Sequence, residues 1–256
     1  MAATAENVTN MINTFKKVFK EVAEFRWIDG DFSGKKLLAD YECRTLSYTL
    51  GTADAKIEIL EIPGSSDYLD LTESLSGDIE YKMRKFKLEV EYRGPNRSYF
   101  SKYSELMNDL HGQHLVITPS WDKTFYMEGR VEVTDANNIN GFGHKFTITA
   151  DIKPYKIELQ PSTSPWEWDE FDFEYGIIRD YYDLVVPGTY TIIGRRLRVC
   201  PIITCSTAMS VTYLGNTYPL MPGDNQITAI FLGEGEHELT FTGSGTVNIT
   251  YQGGSL

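Results

Sequence analysis

The sequence predicts a mainly β protein of two domains, the first of them α+β, and three observations carry that reading. Apolar and polar residues alternate with period two through 84–92 and 146–152, as strands with one buried face do. Pro154, Pro161 and Pro165 then fall within a dozen residues, where missing N–H donors and restricted neighbours mark a domain junction. Past them, short strand-like runs with turn signals at close spacing suggest a β-sandwich. The 16 Tyr and 13 Phe point the same way, since aromatic rings pack well on a pleated surface.

The first segment is helical in pattern. Val8, Met11, Ile12, Phe15, Val18, Phe19 and Val22 recur at helical spacing through 5–24. Glu6 lies near its start and Lys16, Lys17 and Lys20 nearer its end, which suits the helix dipole. Such a helix either docks on its own core or presents Val8, Ile12, Phe15 and Phe19 to a neighbouring subunit.

Arg84 to Tyr92 reads as a strand, with Phe86, Leu88, Val90 and Tyr92 on the buried face, ended by the Gly94-Pro95-Asn96 turn. A second helix follows, capped by Ser98, with Tyr99, Tyr103, Leu106, Met107 and Leu110 on one face and Gly112 as its stop. Strands are expected at Leu115–Ile117 and Thr124–Val133, a loop at Asp135–Gly143, and a further strand carrying Phe146, Ile148, Ala150 and Ile152. In the second half, strands are expected at Asp183–Val186, Tyr190–Ile193, Leu197–Ile203, Met209–Tyr213 and Gln226–Leu232. A closing hairpin, Glu238–Thr242 with Thr246–Tyr251, turns at Gly243-Ser244-Gly245.

Charge narrows the function. A net charge of −12 lacks the basic footprint that nucleic-acid affinity requires, and disfavours anionic membranes. No apolar run reaches the ~18 residues of a membrane helix, and the N-terminal lysines do not make a signal-peptide pattern. Folding in a cytoplasm is the expectation, and Cys43, Cys200 and Cys205 fit reduced thiols rather than a disulfide framework.

Catalytic patterns are missing. Gly30 to Lys36 has one residue too few for a phosphate-binding loop and a Lys where Mg²⁺ would need Ser or Thr. His111 and His114 flank Gly112 and do not share a helix face. The run Trp166-Glu167-Trp168-Asp169-Glu170-Phe171-Asp172-Phe173-Glu174-Tyr175 leaves three alternatives open. Its carboxylates could hold Ca²⁺, Trp166 and Trp168 could stack on sugar rings, or its aromatics pack inward on an edge strand. No catalytic residue, cofactor or metal site is nominated.

Several stretches together resemble the distal tail protein family of siphophages and related prophage tail modules. Phe25-Arg26-Trp27-Ile28-Asp29-Gly30 looks like the family's opening strand and turn, and Ser104 to Gly112 like its helix. Asp122-Lys123-Thr124-Phe125-Tyr126-Met127-Glu128-Gly129-Arg130-Val131 looks like its hairpin, and Pro154-Tyr155-Lys156 like the end of its first domain. Gly245 to Tyr251, followed by Gly253-Gly254-Ser255-Leu256, is similar to its C-terminal ending. The resemblance implies a ring-forming, tail-tube-like β-sandwich with helix and hairpin over 25–156, then a galectin-like β-sandwich over 157–256. Residues 1–24 form an N-terminal extension beyond the usual start. It further implies a non-enzymatic, homohexameric hub joining the tail tube to the tail tip or baseplate of a virion, assembled in the host cytoplasm. Its partners would be the tail tube protein, the tape measure protein and tail-associated or receptor-binding proteins, with DNA passing through unbound. The sugar-binding pattern of galectins is absent from the second half. The alternative from a different class is a carbohydrate-binding adhesin module for host-surface attachment, resting on Trp166 and Trp168.

Overall fold

The computed structural model describes residues 24–26, 37–74, 76–118, 122, 124–138, 144–165 and 177–256. The helical pattern of residues 5–24, and with it Val8, Ile12, Phe15 and Phe19, lies outside the described residues, as do Trp166 and Trp168. The chain divides into two units, Met1–Trp121 with Met127–Pro154, and Asp122–Tyr126 with Tyr155–Leu256. Both are mainly β.

The first unit contains β1 (Glu24–Arg26), α1 (Leu37–Tyr41), β2 (Cys43–Leu50), β3 (Ile59–Glu61), β4 (Tyr68–Asp70), β5 (Arg84–Tyr92), α2 (Tyr99–Leu110), β6 (His114–Thr118), most of β7 (Phe125–Asn138) and β8 (His144–Ile152). Its sheet runs β1-β6-β7-β8-β5-β2, antiparallel except where β1 lies parallel to β6. Strict alternation on β5 buries Phe86, Leu88, Val90 and Tyr92, which meet Ala150, Ile148, Phe146 and His144 directly across on β8. A helix as short as α2 is marginal alone in water, so tertiary packing holds it. Tyr99, Leu106 and Leu110 are buried in the same core, each contributing about 1.5–3 kcal/mol.

Two expectations for this unit change. Ser98 occupies the N-cap position of α2, but its hydroxyl makes no cap; it donates to Pro95 O at 2.9 Å. A 3-10 turn over Asn96–Ser98 precedes the helix, so Ser98 already has helical φ and ψ and lacks N-cap geometry. The loop expected from Asp135 begins later, because β7 continues to Asn138. A bulge between Thr134 and Asn137 takes up residues that break the alternation, and pairing resumes at Asn137 with Lys145 and Asn138 with His144.

The second unit contains β9 (Lys156–Glu158), β10 (Leu184–Gly194), β11 (Ile202–Cys205), β12 (Met209–Tyr213), β13 (Asn216–Leu220), β14 (Gly223–Asn225), β15 (Gly235–Thr250) and β16 (Gly254–Ser255). Its main sheet runs β13-β12-β15-β11-β14, with β10 along β15, and Ile192, Ile203, Val211, Leu239, Phe241 and Ile249 form its centre. β9 pairs with β16 and with Phe125 and Tyr126 of β7.

The closing hairpin is not formed. Glu238–Thr242 and Thr246–Thr250 are halves of the continuous β15, its first half beside β12 and its second beside β11. Gly243 and Gly245, at φ +132° and +116°, bend the strand without reversing it. Residues 226–232 are likewise turn-like rather than strand, with Ile230 and Leu232 buried and Leu232 bridging only Val199. The two strands expected over 183–193 merge into β10, across a bulge between Val186 and Gly188.

One buried carboxylate binds the ends of this unit together. Glu158 of β9 accepts from Arg179 Nη1 at 2.5 Å, from Arg195 Nε, and from the Gly253 N–H at 2.8 Å. Glu158 and Arg179 side chains are almost wholly buried, and the Arg179 guanidinium lies over the Tyr251 ring.

Candidate interaction surface

Between β2 and β5 the chain makes an excursion, residues 51–83, that contains no buried residue among those described. It starts as an extension of the β2–β5 ladder. Gly51 N–H donates to Lys85 O, Lys82 N–H to Asp54 O, and Lys56 N–H to Glu80 O, each at 2.8 Å, with Ala55 bridging Tyr81. Beyond that stem, β3 and β4 form a two-stranded antiparallel ribbon.

The sequence explains the ribbon's ends. In Ile62-Pro63-Gly64-Ser65, Pro presets the first corner and Gly64 takes φ +83°, closing a turn with Ser65 N–H on Ile62 O at 3.1 Å. At the other end Asp70 Oδ1 accepts from Thr72 N–H at 2.9 Å, and the Thr72 hydrogen bonds hold the Asp70 carboxyl below its ordinary range. Thr72 Oγ1 in turn accepts from Glu58 N–H at 3.2 Å.

Register sorts the side chains. Leu60 lies opposite Leu69, with Ile62 on the same face, whereas Ile59, Glu61, Tyr68 and Asp70 share the other. Both faces are open to solvent, with Tyr68 63% and Leu60 55% exposed. The exposure continues down β2 through Leu46, Tyr48 and Leu50. A lone two-stranded ribbon is at best marginally stable in water, so an apolar ribbon held out on a hydrogen-bonded stem calls for a covering partner. Burying the exposed half of Leu60, Ile62, Leu69, Ile59 and Tyr68 would contribute about 1 kcal/mol each. The arm is also acidic. It holds Asp54, Glu58, Glu61, Asp67, Asp70, Glu73, Asp78 and Glu80 against Lys56 and Lys82, so eight negative and two positive charges give −6, half of the chain's −12.

Sequence reasoning passed over this arm: its apolar residues fall on both faces of the ribbon, so the Pro63-Gly64 turn was the one legible signal. Of the two histidines flanking Gly112, His111 Nδ1 accepts from the Val133 N–H at 3.0 Å, and burial lowers the pKa of His114. The thiols of Cys43, Cys200 and Cys205 are unbridged, and burial raises the pKa of each. Among the described residues no three His, Cys, Asp or Glu side chains are grouped to hold a metal, and no helix is long and apolar enough to cross a membrane.

No family model matches the chain, and no curated protein matches it. Among solved structures the chain is similar to the SPP1 Dit (gp 19.1) protein, described as a paradigm of the hub adsorption apparatus in Gram-positive infecting phages. The TM-score is 0.54 at 16% identity, over 83% of this chain and 94% of that one, so the two share a fold over most of this chain.

Proposed function

We propose that this protein is a structural hub of a phage tail tip, a distal tail protein that closes into a ring of six and joins the tail tube to the tip or baseplate. The observation that carries the proposal is the shared fold across 94% of the SPP1 Dit chain. The arm of residues 51–83 supports it, since a ring subunit must offer its neighbour a surface that the isolated subunit leaves uncovered. In this reading residues 25–156 form the ring and residues 157–256 a galectin-like domain outside it. Residues 1–24 present Val8, Ile12, Phe15 and Phe19 to a neighbour. The tail tube, tape measure and tail-associated or receptor-binding proteins are the partners. Assembly takes place in the host cytoplasm, and the protein ends in the virion tail without catalysing a reaction. The charge of −12 suits a lumen through which DNA passes without adhering.

The test is the assembly state of the purified chain. Light scattering after size exclusion should report six copies, and negative-stain images should show rings with a central opening. A monomer at every concentration, with binding to a glycan array lost on Trp166→Ala or Trp168→Ala, would overturn the hub in favour of an adhesin module.

A further inference from the structure

We infer that the free edge of β10 is a strand-pairing site at which two copies of this chain join across a twofold axis. β10 pairs with β15 alone among the described strands, so its other edge has no described strand beside it. Ile193 reveals which backbone groups leave that edge. Its N–H donates to the Tyr181 hydroxyl at 2.9 Å, and its carbonyl accepts from Arg179 Nε and the Tyr251 hydroxyl rather than from β15. Residues of an antiparallel pair alternate between bonding across the ladder and bonding away from it, so Thr191 and Thr189 also turn their N–H and C=O off the edge. The 3.0 Å contact between the Thr189 and Thr240 hydroxyls agrees, since side chains lie closest in pairs that exchange no backbone hydrogen bonds. Both Thr189 and Thr191 are exposed. The opening has defined ends. Past Thr191 the Ile193 groups are taken; before Thr189, Pro187 in the bulge has no N–H, and Val185 O accepts from the Tyr190 hydroxyl at 2.5 Å.

The edge selects a second copy as its occupant. An antiparallel partner that sets its own Thr191 opposite Thr189, and its own Thr189 opposite Thr191, brings every donor to an acceptor, with Tyr190 at the centre. That contact is self-complementary, as a twofold interface must be, and cross-strand threonine pairs favour it. Charge favours it as well. Leu184 to Gly194 holds no charged residue, so two subunits of net charge −12 can meet there without setting like charges opposite each other. The other edges of this sheet are blunted, by Pro219 in β13 and by the three-residue length of β14, whereas Thr189–Thr191 carries no such protection. The contact goes beyond the ring reading. It joins copies two at a time, so it is not the one that closes a ring of six, and between rings it links one to another.

The experiment uses the full chain. Sedimentation over a concentration series should show the mass doubling, from six copies to twelve where rings form and from one to two where they do not. Thr191→Pro removes an N–H at the free edge without touching the β15 ladder, and by symmetry it removes two hydrogen bonds from each pair. It should weaken the doubling about 30-fold at an unchanged melting temperature. Cysteines read the register, in a Cys200→Ser background because the other two native thiols are buried. Thr189→Cys mixed with Thr191→Cys should give a disulfide-linked dimer on oxidation, the two Cα atoms lying about 5.5 Å apart in such a pair. Neither variant alone should do so, because each cysteine then faces a threonine. Doubling that survives Thr191→Pro, or a mixture that crosslinks no more than its parts, refutes the edge contact while the ring stands. If Thr191→Pro melts early, the cysteine pair decides alone. A mass that never doubles overturns the inference whether or not rings form.

Discussion

Replacing Glu158 with Leu should unfold the second unit while leaving the first intact. The carboxylate accepts from two guanidinium groups and the Gly253 N–H, and it ties β9 to both the approach to β10 and the C-terminal segment. Leucine fills similar volume but accepts nothing. Arg179 would then be a buried cation keeping only Nε–H on Ile193 O, with Nη1 newly orphaned beside an Nη2 that already lacks a partner. Breaking one side of a buried pair costs about 3–5 kcal/mol. For a unit of this size that lowers Tm by more than about 10 °C. The companion variant Glu158→Leu/Arg179→Leu removes both charges and should recover most of the loss, because an apolar pair of similar volume is often close to neutral. Arg195 remains, partly open to water and over the Phe125 ring. Hydrogen exchange resolved by peptide, run along a urea series, separates the two units. A loss below about 1 kcal/mol for Glu158→Leu, or a double variant no better than the single one, would show that the network does not hold the unit.

Alkaline pH should destabilise the fold in a defined window. Burial, and then the Glu42 charge, push the Cys43 thiol from 9.0 up to about 12, and burial pushes Cys205 from 9.0 to about 11. A thiol with a raised folded pKa gives stability that is complete below pH 9 and is lost between 9 and its folded value, at about 1.4 kcal/mol per pH unit per group. Tyr41 and Tyr251, also raised by burial, extend the loss further upward. Calorimetry at pH 8, 9, 10 and 11 checks it, and a flat Tm profile refutes it. Leu214→Asn should stabilise by about 1 kcal/mol, since Leu214 and Gly215 hold φ +47° and +78° at a two-residue hairpin where Asn is favoured and Leu is strained. A Tm that falls instead would mean that the 81%-exposed Leu214 supports the hairpin. Gly129→Ala should cost about 3 kcal/mol, because a Cβ there would lie 2.2 Å from Asp151 O and 2.7 Å from Ile152 Cα, both backbone atoms of the adjacent β8. A soluble variant with unchanged urea midpoint would show that β7 and β8 can part at that point.

What the chain reveals as sequence depends on whether an element has one buried face. β5, β8 and α2 do, and their periods of 2 and 3.6 are written directly in Phe86 to Tyr92, Phe146 to Ile152 and Tyr99 to Leu110. Errors came where pairing, rather than burial, decides the outcome. Gly243-Ser244-Gly245 carries the residues of a turn, yet separate partners on the two halves of β15 keep the strand running. The arm fails the same test from the other side. With every described residue from 57 to 70 exposed, it has no inside to generate a period. Arg84 makes the same point for a side chain. Period two places it on the buried face of β5, a position that its charge contradicts. Both departures lie at the root and along the length of one projecting ribbon. Violations of local rules concentrate at functional or strained sites, which is why a period alone does not read them.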